Sequence, residues 1–189
     1  MNTNELPNRK VLYKGEHIIF MEQDVLKNNK IIKYELVVRN NINGIIAVLP
    51  ITEDKKVVLI KQFRIPVNDT VLEVSAGLCD KEGEDEIDTV KRELLEETGY
   101  TSDEISYAYT TAGSPGITSE KVNCYIALNA KKASYKQNLD EIEQIEVVEI
   151  PLDEINDFIL ENTVSGAIID SKVLALLYFY FEIILKGKK

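Results

Sequence analysis

The sequence predicts an α+β fold, and two observations lead to this prediction. Short β-branched runs separated by polar turns recur along most of the chain. One early segment has apolar residues at helical spacing, and two late segments are also expected to be helical. The 189 residues, of which 44% are hydrophobic, suffice to bury one core of ordinary size. We therefore expect a main domain at residues 41–189, preceded by an antiparallel strand segment at residues 1–40.

The strands are predicted from alternation and from turn signals. Between residues 11 and 38, alternating apolar residues follow a polar turn at 27–30, which is typical of a hairpin. The polar segment 52–56 has the length of another hairpin turn. Beyond the first hairpin, strands are predicted at residues 44–51, 57–63, 71–76, 105–110, 122–128 and 145–150.

Three helices are predicted: residues 84–98 lead from a loop into the first, and the others are expected at residues 153–161 and 171–186. In the first, Ile87, Val90 and Leu94 recur three and four residues apart, and Gly99 follows where helices commonly end at glycine. The second begins just after a proline, which is typical of a helix start. The third is shorter than the roughly 20 apolar residues of a membrane span and contains a glutamate, so we expect a buried helix and no membrane partner.

Charge and cysteine content limit the partners and the setting. Thirty-two acidic residues against 22 basic ones give a formal net charge of -10, which repels a phosphate backbone and argues against nucleic acid as a partner. The polar first ten residues contain no secretory signal. Cys79 and Cys124 form no C-x-x-C pair and are too few for a disulfide framework, which indicates the cytoplasm.

Three carboxylates share one side of the first helix. At about 100° per residue, Glu93, Glu96 and Glu97 lie within one arc beside the apolar stripe. Like charges at these spacings repel one another, and the negative end of the helix dipole disfavours them further. A divalent cation with oxygen ligands, Mg²⁺ or Mn²⁺, would relieve both penalties. A solvated acidic face without a metal is the alternative that the spacing alone leaves open.

A longer pattern surrounds these carboxylates. Glu84 is followed by seven residues and then by the run 92–100, Arg-Glu-Leu-Leu-Glu-Glu-Thr-Gly-Tyr. This pattern resembles the Nudix box, with one residue more than usual between Gly77 and Glu84. The resemblance implies mixed sheets sandwiched by helices, and a hydrolase that uses Mg²⁺ to cleave a small-molecule nucleoside diphosphate linked to another moiety.

The resemblance also implies roles for individual residues of the box. Glu93 and Glu97 would be the principal metal ligands, and Glu96 and the Ala76 carbonyl would complete the shell. Arg92 would be a catalytic-site residue that orients the carboxylates and does not bind substrate. Glu97 is placed among the catalytic residues as well as among the metal ligands.

Segments on either side of the box narrow the family. The segments 62–64 (Gln-Phe-Arg) and 73–77 (Glu-Val-Ser-Ala-Gly) resemble a pair typical of the ADP-ribose pyrophosphatase branch, with Ser75 in place of a proline. Pro115 lies 16 residues beyond Gly99, the spacing that marks ADP-ribose enzymes. The resemblance implies cleavage of ADP-ribose, or of related ADP-sugars, to AMP and a sugar phosphate. Three residues are thereby placed in the substrate site: Arg64, Glu73 and Pro115.

Two of these substrate residues also make physical sense on their own. The planar guanidinium of Arg64 suits phosphate oxygens. Glu73, at the end of a strand, can accept hydrogen bonds from a substrate or approach a second metal. From the residues alone, a surface salt bridge is the alternative for Arg64, and a simple strand-edge charge is the alternative for Glu73.

The resemblance to this branch also implies a general base and an oligomeric state. Its general base comes from a loop before the penultimate strand, where the segment 143–147 (Glu-Gln-Ile-Glu-Val) resembles the pattern of the branch. Glu143 is therefore the candidate base, although the acidic run 140–146 leaves other carboxylates open. The resemblance further implies a homodimer in which the strands at residues 11–38 cross the interface and help to form the pocket.

Two other functions remain open. A Nudix pyrophosphatase for another nucleoside diphosphate derivative, such as a GDP-sugar, would carry the same box, because the residues that read the base are not recognisable in the sequence. A nucleotide-binding Nudix module without catalysis is the second alternative. Such modules generally lose glutamates from the box, whereas Glu93, Glu96 and Glu97 are all present here.

Overall fold

The structure is a computed structural model that describes residues 9–133, 137 and 144–187. The described chain begins with a three-stranded antiparallel sheet. Its strands, in spatial order, are β1 (Arg9–Lys14), β2 (Ile18–Lys27) and β3 (Lys30–Arg39). Asn28 and Asn29 connect β2 to β3, and both have a positive φ, which asparagine tolerates better than most residues. The predicted hairpin turn at 27–30 is therefore confirmed.

A nine-stranded mixed sheet forms the centre of the described residues. Its strands are β4 (Ile45–Thr52), β5 (Lys56–Arg64), β6 (Asp69–Glu73), β7 (Ser75–Leu78), β8 (Tyr100–Thr101), β9 (Glu104–Thr111), β10 (Val122–Lys132), β11 (Ile145–Pro151) and β12 (Ile168–Ile169). The main path runs β12-β6-β5-β4-β10-β8, while β11 pairs with β5, β7 with β4 and β9 with β10. The pairs β4–β10 and β6–β12 are parallel, and the other pairs are antiparallel.

Three helices accompany the sheets in the described chain. They are α1 (Glu86–Glu93), α2 (Ile155–Val164) and α3 (Ser171–Phe179). Helix α1 continues as a π-helical turn over Leu94–Thr98, and α3 as another over Tyr180–Leu185. The Asp85 carboxylate caps α1 by accepting the Asp88 N–H, and Gly99, with φ +73°, ends the π turn. None of the helices in this part of the chain has the length and apolar character that crossing a membrane requires.

Each face of the central sheet packs against its own hydrophobic core. Because side chains alternate along a strand, Val48 of β4 faces α1 whereas Leu49 faces α3. The α1 core includes Ile46, Val48, Val58, Val90, Leu94, Tyr125 and Ala127. The α3 core includes Ala47, Leu49, Ile51, Val57, Leu59, Cys124, Ile126, Val173 and Leu176. Sheets between helices, preceded by an antiparallel segment, confirm the predicted α+β class.

Several predicted boundaries were wrong, and each has a local cause. The single strand expected at 71–76 is two strands, because the chain changes partner at Val74, from β5 to β4. Helix α2 begins at Ile155, since Pro151 ends β11 and residues 152–154 form a turn. The first helix begins at Glu86, inside the segment expected to lead from loop into helix, and its last turn is a π turn. The two-residue strands β8 and β12 were not predicted.

Candidate active site

Strand β7 forms the floor of the site. Ser75, which replaces the proline typical of the branch, is buried at its first position and pairs with Val48. Gly77, on the α1 face, has the Glu93 side chain directly against it: a Cβ at Gly77 would lie 2.0 Å from Glu93 Cδ. Glycine is therefore needed here for close approach, and it lets the Glu93 carboxylate lie on the strand backbone.

The guanidinium of Arg92 connects the carboxylates of the helix. Its Nε and Nη2 donate to the two oxygens of Glu84 at 2.9 and 3.0 Å. Its Nη1 donates to Glu93 Oε1 at 2.6 Å and to Glu96 Oε2 at 3.1 Å, and Nη2 also reaches the Leu78 carbonyl at 3.3 Å. Such a set of charge-assisted bonds orients three carboxylates at once. Arg92 thus contacts the carboxylates of Glu84, Glu93 and Glu96.

The hydrogen bonds of Arg92 shift the pKa values of Glu84 and of Arg92 itself. The hydrogen bonds from Arg92 hold the pKa of Glu84 below its ordinary value of 4.5, and the Glu84 carboxylate in turn raises the pKa of Arg92 above its usual range. The Thr89 hydroxyl donates a further hydrogen bond to Glu84 at 2.9 Å. The charged forms of Glu84 and Arg92 are therefore both stabilised.

Glu97 occupies the most enclosed position of the cluster. The residue is only 4% exposed, and its Oε2 accepts the Ala76 N–H at 3.1 Å. Glu93 lies against Gly77, so the two carboxylates flank consecutive residues of β7. The Ala76 carbonyl belongs to the peptide between them. The structure thus brings together Ala76, Glu93, Glu96, Glu97 and Arg92.

The extra residue before Glu84 does not disturb the site. It lies in the loop at residues 79–85, where Gly83 takes a φ of +80° and the Glu84 N–H donates to the Lys81 carbonyl. Because this turn takes up the additional length, Gly77 still lies against Glu93 while Glu84 still reaches Arg92.

The donor set fits a hard divalent cation. Glu93, Glu96 and Glu97 offer carboxylate oxygens, and the absence of a side chain at Gly77 leaves room for the Glu93 carboxylate against the strand backbone. Within the described ranges, no three acidic, histidine or cysteine side chains are grouped tightly enough to enclose an ion. Mg²⁺ does not require such a cage, since it keeps several waters and binds one or two carboxylates together with substrate phosphates.

Arg64 and Glu73 form a bidentate ion pair between β5 and β6. Arg64 Nε donates to Glu73 Oε1 at 2.6 Å, and Nη2 donates to Oε2 at 2.9 Å. Glu73 is buried, whereas the Arg64 side chain is 38% exposed. Glu73 is the last residue of β6 and pairs with Ile60 of β5. It precedes Ala76 by three residues, so the chain runs from the ion pair directly into β7, which contacts the carboxylate cluster.

Pro115 lies in an exposed loop at residues 112–121, between β9 and β10. This loop is attached to the N-terminal sheet. The Val37 N–H donates to the Ile117 carbonyl at 2.9 Å, the Ser119 N–H donates to the Val37 carbonyl at 3.1 Å, and the Tyr34 hydroxyl donates to the Gly116 carbonyl at 2.5 Å. The predicted base, Glu143, lies outside the described residues, as do Asp140 and Glu141.

Sequence reasoning missed some contributors to the site. Thr89 follows Glu84 by five residues and is buried on the inner side of α1; its position beside the apolar stripe is a signal that could have identified it. The Gln137 side chain donates to the Glu97 carbonyl at 2.5 Å, and no pattern in its surroundings indicates this contact.

Comparison with known proteins agrees with this geometry. Residues 43–170 match the NUDIX domain family. The chain is 35% identical to a methanol dehydrogenase activator of Bacillus methanolicus over 179 residues, 94% of this chain and 92% of that protein. It is 34% identical to an ADP-ribose pyrophosphatase of Bacillus subtilis (strain 168) over 180 residues, 94% and 93% of the two chains.

The chain is also similar to a further relative and to a solved structure, at lower sequence identity. A GDP-mannose pyrophosphatase of Enterobacter sp. (strain 638) is 31% identical over 161 residues, 81% of each chain. A solved structure of an ADP compounds hydrolase shares the fold with a TM-score of 0.73 at 22% identity, covering 96% of this chain and 93% of the other.

The chain belongs to the NUDIX domain family. The assignment that the box predicts from the sequence is thereby confirmed.

Proposed function

We propose that the protein hydrolyses the pyrophosphate bond of ADP-ribose, or of related ADP-sugars, to AMP and a sugar phosphate, with Mg²⁺ as cofactor and Mn²⁺ as a substitute. The observation that carries the proposal is the carboxylate cluster on the floor formed by Ala76 and Gly77: Arg92 holds Glu93 and Glu96, and Glu97 accepts the Ala76 N–H. The similarity to an ADP-ribose pyrophosphatase over nearly the whole chain supports the substrate class.

The carboxylate cluster does the binding and orienting. Glu93 and Glu97 would hold the cation as principal ligands, with Glu96 and the Ala76 carbonyl as further donors. When bound, Mg²⁺ supplies Lewis-acid polarisation of the pyrophosphate and offsets its charge. Because Arg92 already donates to several carboxylates, we assign it to orientation and not to substrate contact.

The Arg64–Glu73 pair is assigned to substrate binding. Glu73 fixes the plane of the Arg64 guanidinium through two hydrogen bonds. The exposed part of Arg64 is therefore already oriented for a phosphate, and little side-chain entropy is lost on binding. The loop carrying Pro115, attached to β3, supplies another wall of the pocket.

Glu143 is assigned as the general base. In hydrolysis, a water oxygen attacks phosphorus, the bond to the bridging oxygen breaks, and the attacking water loses a proton. A carboxylate near the site accepts that proton efficiently when it remains ionised at working pH. The resemblance of residues 143–147 to the corresponding stretch of the branch supports Glu143, with the other acids of 140–146 as alternatives.

We also infer a cytoplasmic homodimer. The N-terminal strand segment, residues 1–40, is the assigned dimerisation element. Nine large apolar side chains of the three-stranded sheet are exposed in the single chain, which supports an interface there. Cys79 and Cys124 are both buried and free, as expected for a protein of a reducing compartment.

A second substrate class is favoured by a specific observation. The chain is 31% identical to a GDP-mannose pyrophosphatase over 81% of its length. The carboxylate cluster would serve GDP-mannose equally well, because it acts on the pyrophosphate that the two substrates share.

Measuring AMP release from ADP-ribose and GMP release from GDP-mannose, each with and without Mg²⁺, tests these proposals. We expect faster release from ADP-ribose, only with the metal, and a loss of about 10²-fold or more in kcat for Glu97→Gln. Glu161→Gln, an exposed change of the same kind in α2, is the matched control and should keep full activity.

Each other outcome has a defined meaning. Undiminished turnover by Glu97→Gln would contradict the carboxylate assignment. Faster release from GDP-mannose would select the second substrate class. Tight binding of ADP-ribose without turnover in either Mg²⁺ or Mn²⁺ would indicate a nucleotide-binding module without catalysis.

A further inference from the structure

A chain of side-chain hydrogen bonds begins at the first residue of α1. Glu86 Oε1 accepts from Asn123 Nδ2 of β10 at 2.8 Å, and Glu86 Oε2 accepts from the Tyr125 hydroxyl at 2.6 Å. Asn123 Oδ1 in turn accepts from the Thr110 hydroxyl of β9 at 2.7 Å, and that hydroxyl lies 2.8 Å from the Tyr107 hydroxyl. Four side chains from two strands are thus connected to the start of the box helix.

The bonds have only one consistent direction. Thr110 has a single hydroxyl proton, which it donates to Asn123, so Tyr107 must donate to Thr110. Asn123 uses its amide protons toward Glu86 and its carbonyl toward Thr110. The Asn123 side chain thus accepts from one partner and donates to the other without carrying a charge.

This chain of hydrogen bonds lies next to β7, the floor of the candidate active site. Asn123 pairs in register with Ile46 of β4, and Ile46 pairs with Gly77 of β7, so these residues share one line across the sheet. Thr110 is the partner of Asn123 on the other side. One pair further along, the loop at residues 112–121 begins.

This loop is therefore held at two places. Its far side is attached to β3 through Val37 and Tyr34. Its base is connected to α1 through Thr110, Asn123 and Glu86. The second connection sets the distance between the loop that carries Pro115 and the helix that carries the carboxylates.

We propose that Asn123 is a positioning residue that fixes the 112–121 loop relative to α1, and so determines how tightly the substrate is held between them. The proposal rests on the proposed function for the role of the substrate, but the positioning itself is a property of the fold. Asn123 acts through the loop and does not touch the reacting atoms.

Asn123→Asp tests the proposal, because it keeps the size of the side chain and reverses one bond. An aspartate still accepts from Thr110, but it cannot donate to Glu86 and places two carboxylates face to face. Adding Glu86→Gln restores the connection, since the glutamine amide donates to Asp at 123 while its carbonyl still accepts from Tyr125. The double variant therefore has the same geometry with the donor and acceptor exchanged.

The first readout is steady-state hydrolysis of ADP-ribose. We expect Asn123→Asp to raise KM about fivefold with kcat within about twofold, the size of effect from one hydrogen bond that serves binding and not the chemical step. The double variant should return KM to the wild-type value. Asn129→Asp is the matched control: Asn129, at the other end of β10, donates to Glu104 of β9 at 2.8 Å. The change places two carboxylates together at an exposed position far from the loop, so KM should not change.

The second readout is amide hydrogen exchange, which needs no activity. The amides of Thr118 and Ser119 are hydrogen-bonded within and around the loop. We expect them to exchange faster in Asn123→Asp, and at the wild-type rate in the double variant and in Asn129→Asp.

The outcomes separate this proposal from the proposed function. An unchanged KM in a folded Asn123→Asp protein, or a double variant that fails to restore it, would overturn the positioning role. If the wild type does not cleave ADP-ribose, the proposed function fails, and the exchange rates alone decide: equal rates overturn positioning, while reversible acceleration supports it. Should Asn123→Asp not fold, Thr110→Val, which cuts the connection on the loop side only, is subject to the same criteria.

Discussion

Gly77 shows how one residue of the site depends on the absence of a side chain. Its position cannot take a Cβ, because Glu93 Cδ, Oε1 and Cγ all lie within 2.3 Å of where that atom would be. The clashing group is the end of a flexible side chain, so a methyl group would displace the Glu93 carboxylate and leave the backbone in place. The cost of the change should therefore fall on function more than on folding.

We predict that Gly77→Ala folds normally but loses about 10²-fold in AMP release from ADP-ribose, the effect of misplacing an active-site group by about 1 Å. Thermal unfolding should shift little, and the Mg²⁺ concentration for half-maximal activity should rise. Gly187→Ala is the control, since a Cβ there meets nothing within 4 Å. A Gly77→Ala protein with wild-type turnover would show that the Glu93 position is not needed.

Residue spacing predicted the members of the cluster but not their contacts. The three glutamates and Arg92 lie on one helix, where positions three and four apart are necessarily close. The contact of Glu93 with Gly77 and that of Glu97 with Ala76 join α1 to β7 across a loop, and no local periodicity encodes such a meeting. The pairing of Arg64 with Glu73 was foreseen only in part, as a salt bridge with an unnamed partner.

At the scale of the element, α1 is fastened at both ends. The Asp85 cap and the Thr89–Glu84–Arg92 network hold its first two turns against the preceding loop, and Gly99 ends the π turn that follows. The Arg92 hydrogen bonds favour the charged form of Glu84, whose pKa is lowered for that reason. This interaction therefore stabilises the folded protein only while Glu84 is ionised.

The sign of the resulting pH dependence is defined. A carboxyl whose pKa is lowered by folding contributes stability above its unfolded-state pKa near 4.5, and that contribution is lost as the pH falls through its lower folded-state value. We predict that the free energy of unfolding in urea decreases more steeply for the wild type than for Glu84→Gln between about pH 5 and 3, where a glutamate with a lowered pKa becomes protonated. Glu161→Gln should retain the wild-type slope. Parallel curves for wild type and Glu84→Gln would rule out this contribution.

The sequence predicted elements better than it predicted their ends. Strands such as β5 and β10 alternate cleanly between two buried faces, so their patterns were recognisable. The division between β6 and β7 was not, because Val74 continues the apolar run while the backbone exchanges one partner strand for another. The π turn at Leu94–Thr98 was also missed, since its apolar spacing is compatible with an α-helix and only the hydrogen bonds distinguish the two.

At the scale of the whole molecule, the N-terminal sheet exposes many large apolar side chains that nothing in the described part of a single chain covers. Exposed apolar residues cover it, and the cross-strand pair Leu26 and Ile31 near the hairpin turn is 73% and 65% exposed. Exposed apolar patches mark interaction sites. The sheet also holds the 112–121 loop through β3, so an interface formed there would reach the proposed substrate pocket.

We predict that the wild type sediments at about twice its 21.4 kDa chain mass and that the double variant Leu26→Glu, Ile31→Lys sediments as a monomer. The two new side chains face each other across the hairpin, so their opposite charges preserve the strand pairing while removing the apolar surface. Leu160→Lys, which changes an equally exposed apolar residue of α2, is the matched control and should remain a dimer. Dissociation by Leu160→Lys alone would move the interface to the helical face. A wild type that sediments at the mass of one chain would leave the exposed sheet without a second copy to cover it, and the pocket would then have to be complete within one chain.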